Sequence, residues 1–219
     1  MRARDFISEG LNHPCIVVDV QPEYSGINDG DESPVFPEII NFVNRQTGPV
    51  LMFVNAEQTG LTGDTVQDVA RYWEDTVRGE ANDWDDEEPV EHLINWNRFT
   101  IVDKGYGHLR PWMDSNIDPA IIIKTIRYMY QQKVSDSREL FGGENSPTYA
   151  SEFKSFIGPE FDDWMLSDGI YVNWLNIAQL KKFSGAYIMG GGSAECLREV
   201  ELMMSAFNIR FKRIKSLIY

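Results

Sequence analysis

Three consecutive glycines, Gly190-Gly191-Gly192, constrain this chain more than any other feature. The apolar run Ala186-Tyr187-Ile188-Met189 leads straight into them, and a helical pattern opens shortly afterwards at Cys196. Beyond it, Leu197, Val200, Met203, Met204 and Phe207 recur at spacings of three and four, one buried face of a helix. The geometry reads strand, tight glycine turn, helix. A cysteine that opens such a helix sits among unpaired backbone N–H groups and at the positive end of the helix dipole, and both favour a thiolate. The same N–H groups can hold an oxyanion formed when sulfur attacks a carbonyl. The plain alternative is a helix cap with an inert, half-buried cysteine. A base and a partner charge therefore have to come from elsewhere in the chain.

Two further strands end in such groups. Pro14-Cys15-Ile16-Val17-Val18-Asp19-Val20-Gln21 is a continuous β-branched run of the kind found in parallel strands covered on both faces. Asp19 interrupts it near the end, where a carboxylate is expensive to bury unless paired or used. Phe99-Thr100-Ile101-Val102 is a third strand, and it ends in Asp103-Lys104-Gly105. Between these lie a helix using Phe36, Ile39, Ile40 and Val43, and the strand Val50–Val54. A helix follows with Asp64 as N-cap and Val66, Val69, Tyr72 and Trp73 on its apolar face. Further helical patterns use Ile121, Ile122, Thr125, Tyr128 and Met129, then Trp174, Ile177, Ala178 and Phe183. Residues 209–214 read as a fifth strand. Strands alternating with helices predict an α/β domain with a three-layer, doubly wound, mainly parallel sheet. Sites in such sheets form at the carboxyl ends of strands, where strand order reverses. Asp19, Lys104 and the Gly190–Cys196 turn all fall at those ends.

Composition narrows the function classes. A net charge of −14 over 219 residues argues against binding nucleic acid or an anionic membrane. Only Cys15 and Cys196 are present, which fits a reducing compartment rather than a disulfide framework. Cys15 reads as a small buried hydrophobe. No apolar leader or membrane-length run is seen, so a soluble cytoplasmic protein is expected. His13, His92 and His108 form no readable Ser-His-Asp or Cys-His arrangement, and the acidic stretch from Glu80 to Glu91 lacks the glycine and terminal glutamate of an EF-hand loop.

Asp19 could take the thiol's proton and return it to a leaving group, with Lys104 as the positive partner. Val17-Val18-Asp19-Val20-Gln21-Pro22-Glu23-Tyr24 resembles the first-strand motif of the isochorismatase-like cysteine hydrolases. Val102-Asp103-Lys104-Gly105 is similar to that family's lysine-bearing third strand, and Gly190-Gly191-Gly192-Ser193-Ala194-Glu195-Cys196 to its glycine turn before the nucleophile. The resemblance implies a triad of Asp19, Lys104 and Cys196. It also implies a cis peptide at Gly191–Gly192, an oxyanion hole from the amides of Gly192 and Cys196, and assembly as a homo-oligomer, dimer or tetramer.

This sequence also departs from the family. Asn55-Ala56-Glu57-Gln58-Thr59-Gly60 holds no histidine where nicotinamidases carry a metal site, so no metal or other cofactor is expected. Ala194 and Val200 replace residues typical around the nucleophile, and elements after the last strand are expected to be shortened. The interval from Lys104 to Cys196 is longer than one crossover needs. A helical insertion over about residues 110–175 is expected within a single domain spanning 1–219. Its aromatic residues (Trp112, Tyr128, Tyr130, Phe141, Phe161 and Trp164) are expected mostly in a core.

The expected function is metal-independent hydrolysis of a small amide through a thioester at Cys196. Gln21 and Tyr24 are candidates either to support the first loop or to line a substrate-binding pocket, Gln21 ranking as structural and Tyr24 as either, and His108 and Arg110 are candidates to meet a substrate's carboxylate. Glu195 is expected to face solvent. The alternatives are a catalytically silent relative serving as a binding or scaffold module, and an isochorismatase-type vinyl-ether hydrolase. A nucleotide-binding Rossmann reading rests on the glycines alone, and they do not follow the first strand.

Overall fold

The computed structural model describes residues 12–24, 35–55, 65–79, 93–104 and 108–219. The chain forms two compact units. The first comprises Met1–Gly105, Phe183–Ser193 and Phe211–Tyr219, and the second Tyr106–Lys182 and Ala194–Arg210.

The first unit is built on a five-stranded, all-parallel sheet. Its strands are β1 (Cys15–Val18), β2 (Val50–Val54), β3 (Phe99–Asp103), β4 (Ala186–Gly190) and β5 (Phe211–Arg213), in the order β3-β2-β1-β4-β5. Register follows directly: Val17 lies beside Met52 on one side and Met189 on the other. The three inner strands are buried along their whole length, which is why their sequences are unbroken apolar runs, whereas edge strands β3 and β5 are only partly covered. The fifth strand is shorter than the 209–214 run predicted, since only 211–213 pair with β4.

Two helices, α1 (Val35–Arg45) and α2 (Val66–Arg78), complete this core. Phe36, Ile39, Ile40 and Val43 of α1 pack with Val69 and Trp73 of α2 against Cys15, Val17, Met52 and Met189. Ile16, Val18, Leu51, Phe53 and Ile188 alternate with these along the strands and are buried as well. Trp73 also donates its indole N–H to the Val20 carbonyl (2.9 Å), tying α2 to the chain just past β1. The α2 cap is Thr65, in a reciprocal capping box with Asp68. That corrects the expected cap at Asp64, which lies outside the described residues. Val66, expected on the apolar face, is 44% exposed.

The second unit is helical: α3 (Arg110–Asp114), α4 (Pro119–Gln132), α5 (Tyr149–Ile157), α6 (Trp174–Lys182) and α7 (Cys196–Ala206). Asp118 caps α4, with Pro119 at its first position. Helix α7 packs against α4 and α6, and buries Leu197, Val200, Met203 and Met204 as the spacing predicts. Trp112 is fully buried and donates to the Asp168 carbonyl (2.8 Å), and Tyr128 stacks on Phe141 and Phe156. Tyr130 differs: it is 48% exposed and lies under the Lys181 ammonium.

Gly190 is the residue the sheet can least replace. Its φ is +79°, and a Cβ there would lie 2.3 Å from the Val18 carbonyl oxygen on the neighbouring strand. Both the left-handed backbone and the close approach of β1 demand glycine. Gly190→Ala is expected to destabilise the protein by about 2–5 kcal/mol, from strain plus overpacking. Urea unfolding measures it, and a loss well below this range would mean that β1 and β4 can separate at little cost.

Candidate active site

Asp19 and Lys104 meet at the carboxyl edge of the sheet. The Asp19 amide donates to the Phe53 carbonyl (2.9 Å) and the Lys104 amide to the Val54 carbonyl (2.8 Å). The last two carbonyls of β2 thus hold the residues that follow β1 and β3. Neighbouring strands are about 4.8 Å apart, so the four-carbon lysine stem suffices to cross the end of β2. The ammonium donates to Asp19 Oδ2 at 2.6 Å, with side chains only 5% and 1% exposed. Oδ1 of Asp19 is buried and has no hydrogen-bond partner among the described residues. Asp19 also adopts φ +53°, a left-handed backbone that a non-glycine residue keeps only when its surroundings over-determine it.

Further polar side chains are hydrogen-bonded to one another just past the ends of β1 and β2. Gln21 is fully buried; its side-chain oxygen accepts from the Asn55 amide (2.8 Å) and its Nε2 donates to the Asn55 carbonyl (3.0 Å). The side chain thus imitates one more rung of pairing between the ends of β1 and β2. Asn55 Nδ2 donates to the Tyr24 hydroxyl (3.1 Å). Burial pushes the Tyr24 hydroxyl from its ordinary 10.0 up to about 12, reinforced by the negative charges of Asp19 and Glu23. Tyr24 therefore faces the pair as a neutral phenol. Tyr219 donates its hydroxyl to the Asp19 carbonyl (2.9 Å).

Beside β1, the chain leaves β4 through Gly190 and Gly191, at φ +79° and +57°. Among the described residues every peptide bond is trans, which corrects the expectation of a cis peptide at Gly191–Gly192. Two successive left-handed glycines make the turn instead. Gly191 is buried and Gly192 half-buried. The Ser193 amide donates to the Tyr219 carbonyl (3.2 Å). The strand order reverses between β1 and β4, the crevice where open α/β sheets bind ligands.

Cys196, His108 and Arg110 belong to the second unit. Cys196 is the first residue of α7, half-buried and outside any disulfide. Glu195 is exposed, as predicted, and ion-paired to Arg110 at 3.1 Å. Arg110 also bonds Asp114 (3.3 Å). Its hold on its proton is strengthened chiefly by Glu195 and further by Asp114, and the Cys196 sulfur lies within its electrostatic reach. Glu199, buried in the first turn of α7, accepts from the Leu109 amide (2.5 Å). The His108 ring lies against Tyr171, 4.8 Å between centroids. Cys15 is fully buried, and burial pushes its thiol from 9.0 to about 12, as suits a core residue.

Local sequence pattern assigns neither Asn55 nor Glu199 to these contacts. Asn55 was within reach of the strand-end argument, because it follows β2 as Asp19 follows β1. Among the described residues no cluster of three metal-ligating side chains occurs, and positions 56–60 and 80–92 lie outside them. No protein-family model matches this chain, and neither does any curated protein or solved structure.

Lys104→Met is expected to destabilise the protein by about 3–5 kcal/mol, because it strands a buried carboxylate. The double variant Asp19→Asn/Lys104→Met should recover most of that loss. Urea denaturation of the set checks this, and a double variant as unstable as the single would show that the pair is not one electrostatic unit.

A second expectation concerns pH. The folded protein holds the Tyr24 proton to about 12, whereas the unfolded chain releases it near 10.0. The stability this contributes is whole below the lower value and lost as pH rises towards the upper one. Tyr24→Phe should therefore lose less stability than wild type between about pH 9 and 11.5, read by urea midpoints. Parallel pH curves would mean that Tyr24 ionises normally.

Proposed function

We propose that this protein is a cysteine-dependent hydrolase of a small amide, of the isochorismatase-like class, working without a metal. What supports the reading most is the buried Asp19, strained at φ +53°, with one carboxylate oxygen on Lys104 and the other without a partner among the described residues. A buried ion pair is costly to keep, and strained backbone of this kind gathers at functional sites. The glycine turn beside it leads within four residues to Cys196 at a helix N-terminus, where a thiolate is favoured.

In this reading Asp19 takes the Cys196 proton as the sulfur attacks the amide carbonyl carbon. The amides of Gly192 and Cys196 hold the oxyanion. Collapse of the tetrahedral intermediate breaks the C–N bond, and Asp19 returns the proton to the departing amine. Water then attacks the thioester and gives up a proton to Asp19; collapse breaks the C–S bond and releases the carboxylic acid, and Asp19 returns that proton to the departing sulfur, restoring the thiol and the carboxylate. Lys104 keeps Asp19 in place and offsets negative charge throughout. The three-layer isochorismatase-like architecture, a helical insertion over about 110–175, a cytoplasmic setting and a homo-oligomeric state belong to the same proposal.

The test is the pH dependence of iodoacetamide labelling, read residue by residue by mass spectrometry on wild type, Lys104→Ala and Asp19→Asn. Cys196 should label with an apparent pKa well below about 8.5 in wild type and higher in Lys104→Ala. Cys15 should stay unlabelled in all three. A screen of small amides then seeks turnover that Cys196→Ser abolishes. A Cys196 that titrates normally in all three proteins removes the hydrolase reading in favour of a silent binding module.

A further inference from the structure

Tyr219 lies 200 positions from Asp19 in the chain, yet the two are hydrogen-bonded. Its hydroxyl donates to the Asp19 carbonyl at 2.9 Å, while its own carbonyl accepts from the Ser193 amide at 3.2 Å, just past the glycine turn. Its ring packs edge-on against Phe36, 4.9 Å between centroids, and Phe36 is fully buried. One residue thus joins the carboxyl end of β1 to that of β4, the two strands that flank the reversal in strand order.

Asp19 needs such a tie. At φ +53° its backbone lies in a region that non-glycine residues leave unless held. The bond from its amide to Phe53 only extends the sheet ladder, and an extended residue would make it equally well. The peptide after Asp19 is what distinguishes the strained conformation, and its carbonyl is the group that Tyr219 holds. If the backbone relaxed towards the extended region, Cβ would rotate and the carboxylate would move off the Lys104 ammonium. A hydroxyl removed here also leaves a buried carbonyl without this partner, which adds to the pressure to relax.

We propose that Tyr219 is a positioning residue for the Asp19–Lys104 pair, acting through the Asp19 carbonyl. Its relevance to catalysis rests on the cysteine-hydrolase reading above, but its effect on the pair does not. Tyr219→Phe is the decisive variant, because it keeps the ring on Phe36 and the main-chain bond to Ser193. The readout is the proton–nitrogen NMR signal of the Lys104 ammonium, assigned by its absence in Lys104→Met. Thr65→Ala, which removes the α2 cap in the same unit, serves as a control for general loosening.

The Lys104 signal should shift or broaden in Tyr219→Phe and stay in place in Thr65→Ala, with Tyr219→Phe still folded. The Cys196 labelling profile should move with it. An unchanged Lys104 signal in Tyr219→Phe overturns the proposal. So does an equal change in Thr65→Ala, and so does outright unfolding of Tyr219→Phe, since a hydroxyl that serves only position leaves the packing intact. A shifted Lys104 signal with an unmoved Cys196 profile upholds the positioning role and defeats the hydrolase reading.

Discussion

The buried contact between Asp19 and Lys104 is the constraint on which the first unit's working edge depends. Two opposite charges with almost no exposure lose hydration that their mutual attraction restores only when the geometry is tight. An apolar pair of similar volume would hold these strand ends together at least as well. Stability alone therefore does not account for the polar choice. The strain at Asp19 has the same logic, because an extended residue would continue the strand without penalty.

Sheet order makes the contact feasible. β2 lies between β1 and β3, and its last two carbonyls hold the amides of Asp19 and Lys104 in register. The Gln21 side chain extends the pairing of β1 with β2 past the end of the ladder by clamping Asn55. On the other side, Gly190 lets β4 approach β1 where any side chain would collide with a carbonyl. Among the described residues nearly all side-chain polar atoms so buried have partners, with Asp19 Oδ1 and the Tyr149 hydroxyl as the exceptions.

The two cysteines sit in contrasting environments. Cys15 sits inside β1 with its thiol held protonated by burial. Cys196 opens a helix, half-buried, with a guanidinium within electrostatic reach and an acidic neighbour drawn into an ion pair with that same guanidinium. Tyr24 gives a parallel case, since burial and nearby carboxylates keep it a neutral hydrogen-bonding group.

The sequence by itself determined the alternation of strands and helices, the apolar faces of α1 and α7, the start of α7 at Cys196, and the placement of Asp19 and Lys104 at strand ends. Each of these depends on residues a few positions apart: unbroken β-branched runs, spacings of three and four, glycines before a helix. Tertiary structure alone decided that Asp19 and Lys104 touch, that Asp19 is left-handed, that Gly190 faces the Val18 carbonyl, and that Tyr219 holds the Asp19 backbone. It also replaced the expected cis peptide with two left-handed glycines and trimmed the fifth strand to the residues that pair. The physical reason is that these facts depend on which strands become neighbours. Strand order is set by packing over the whole sheet, and no local pattern carries it.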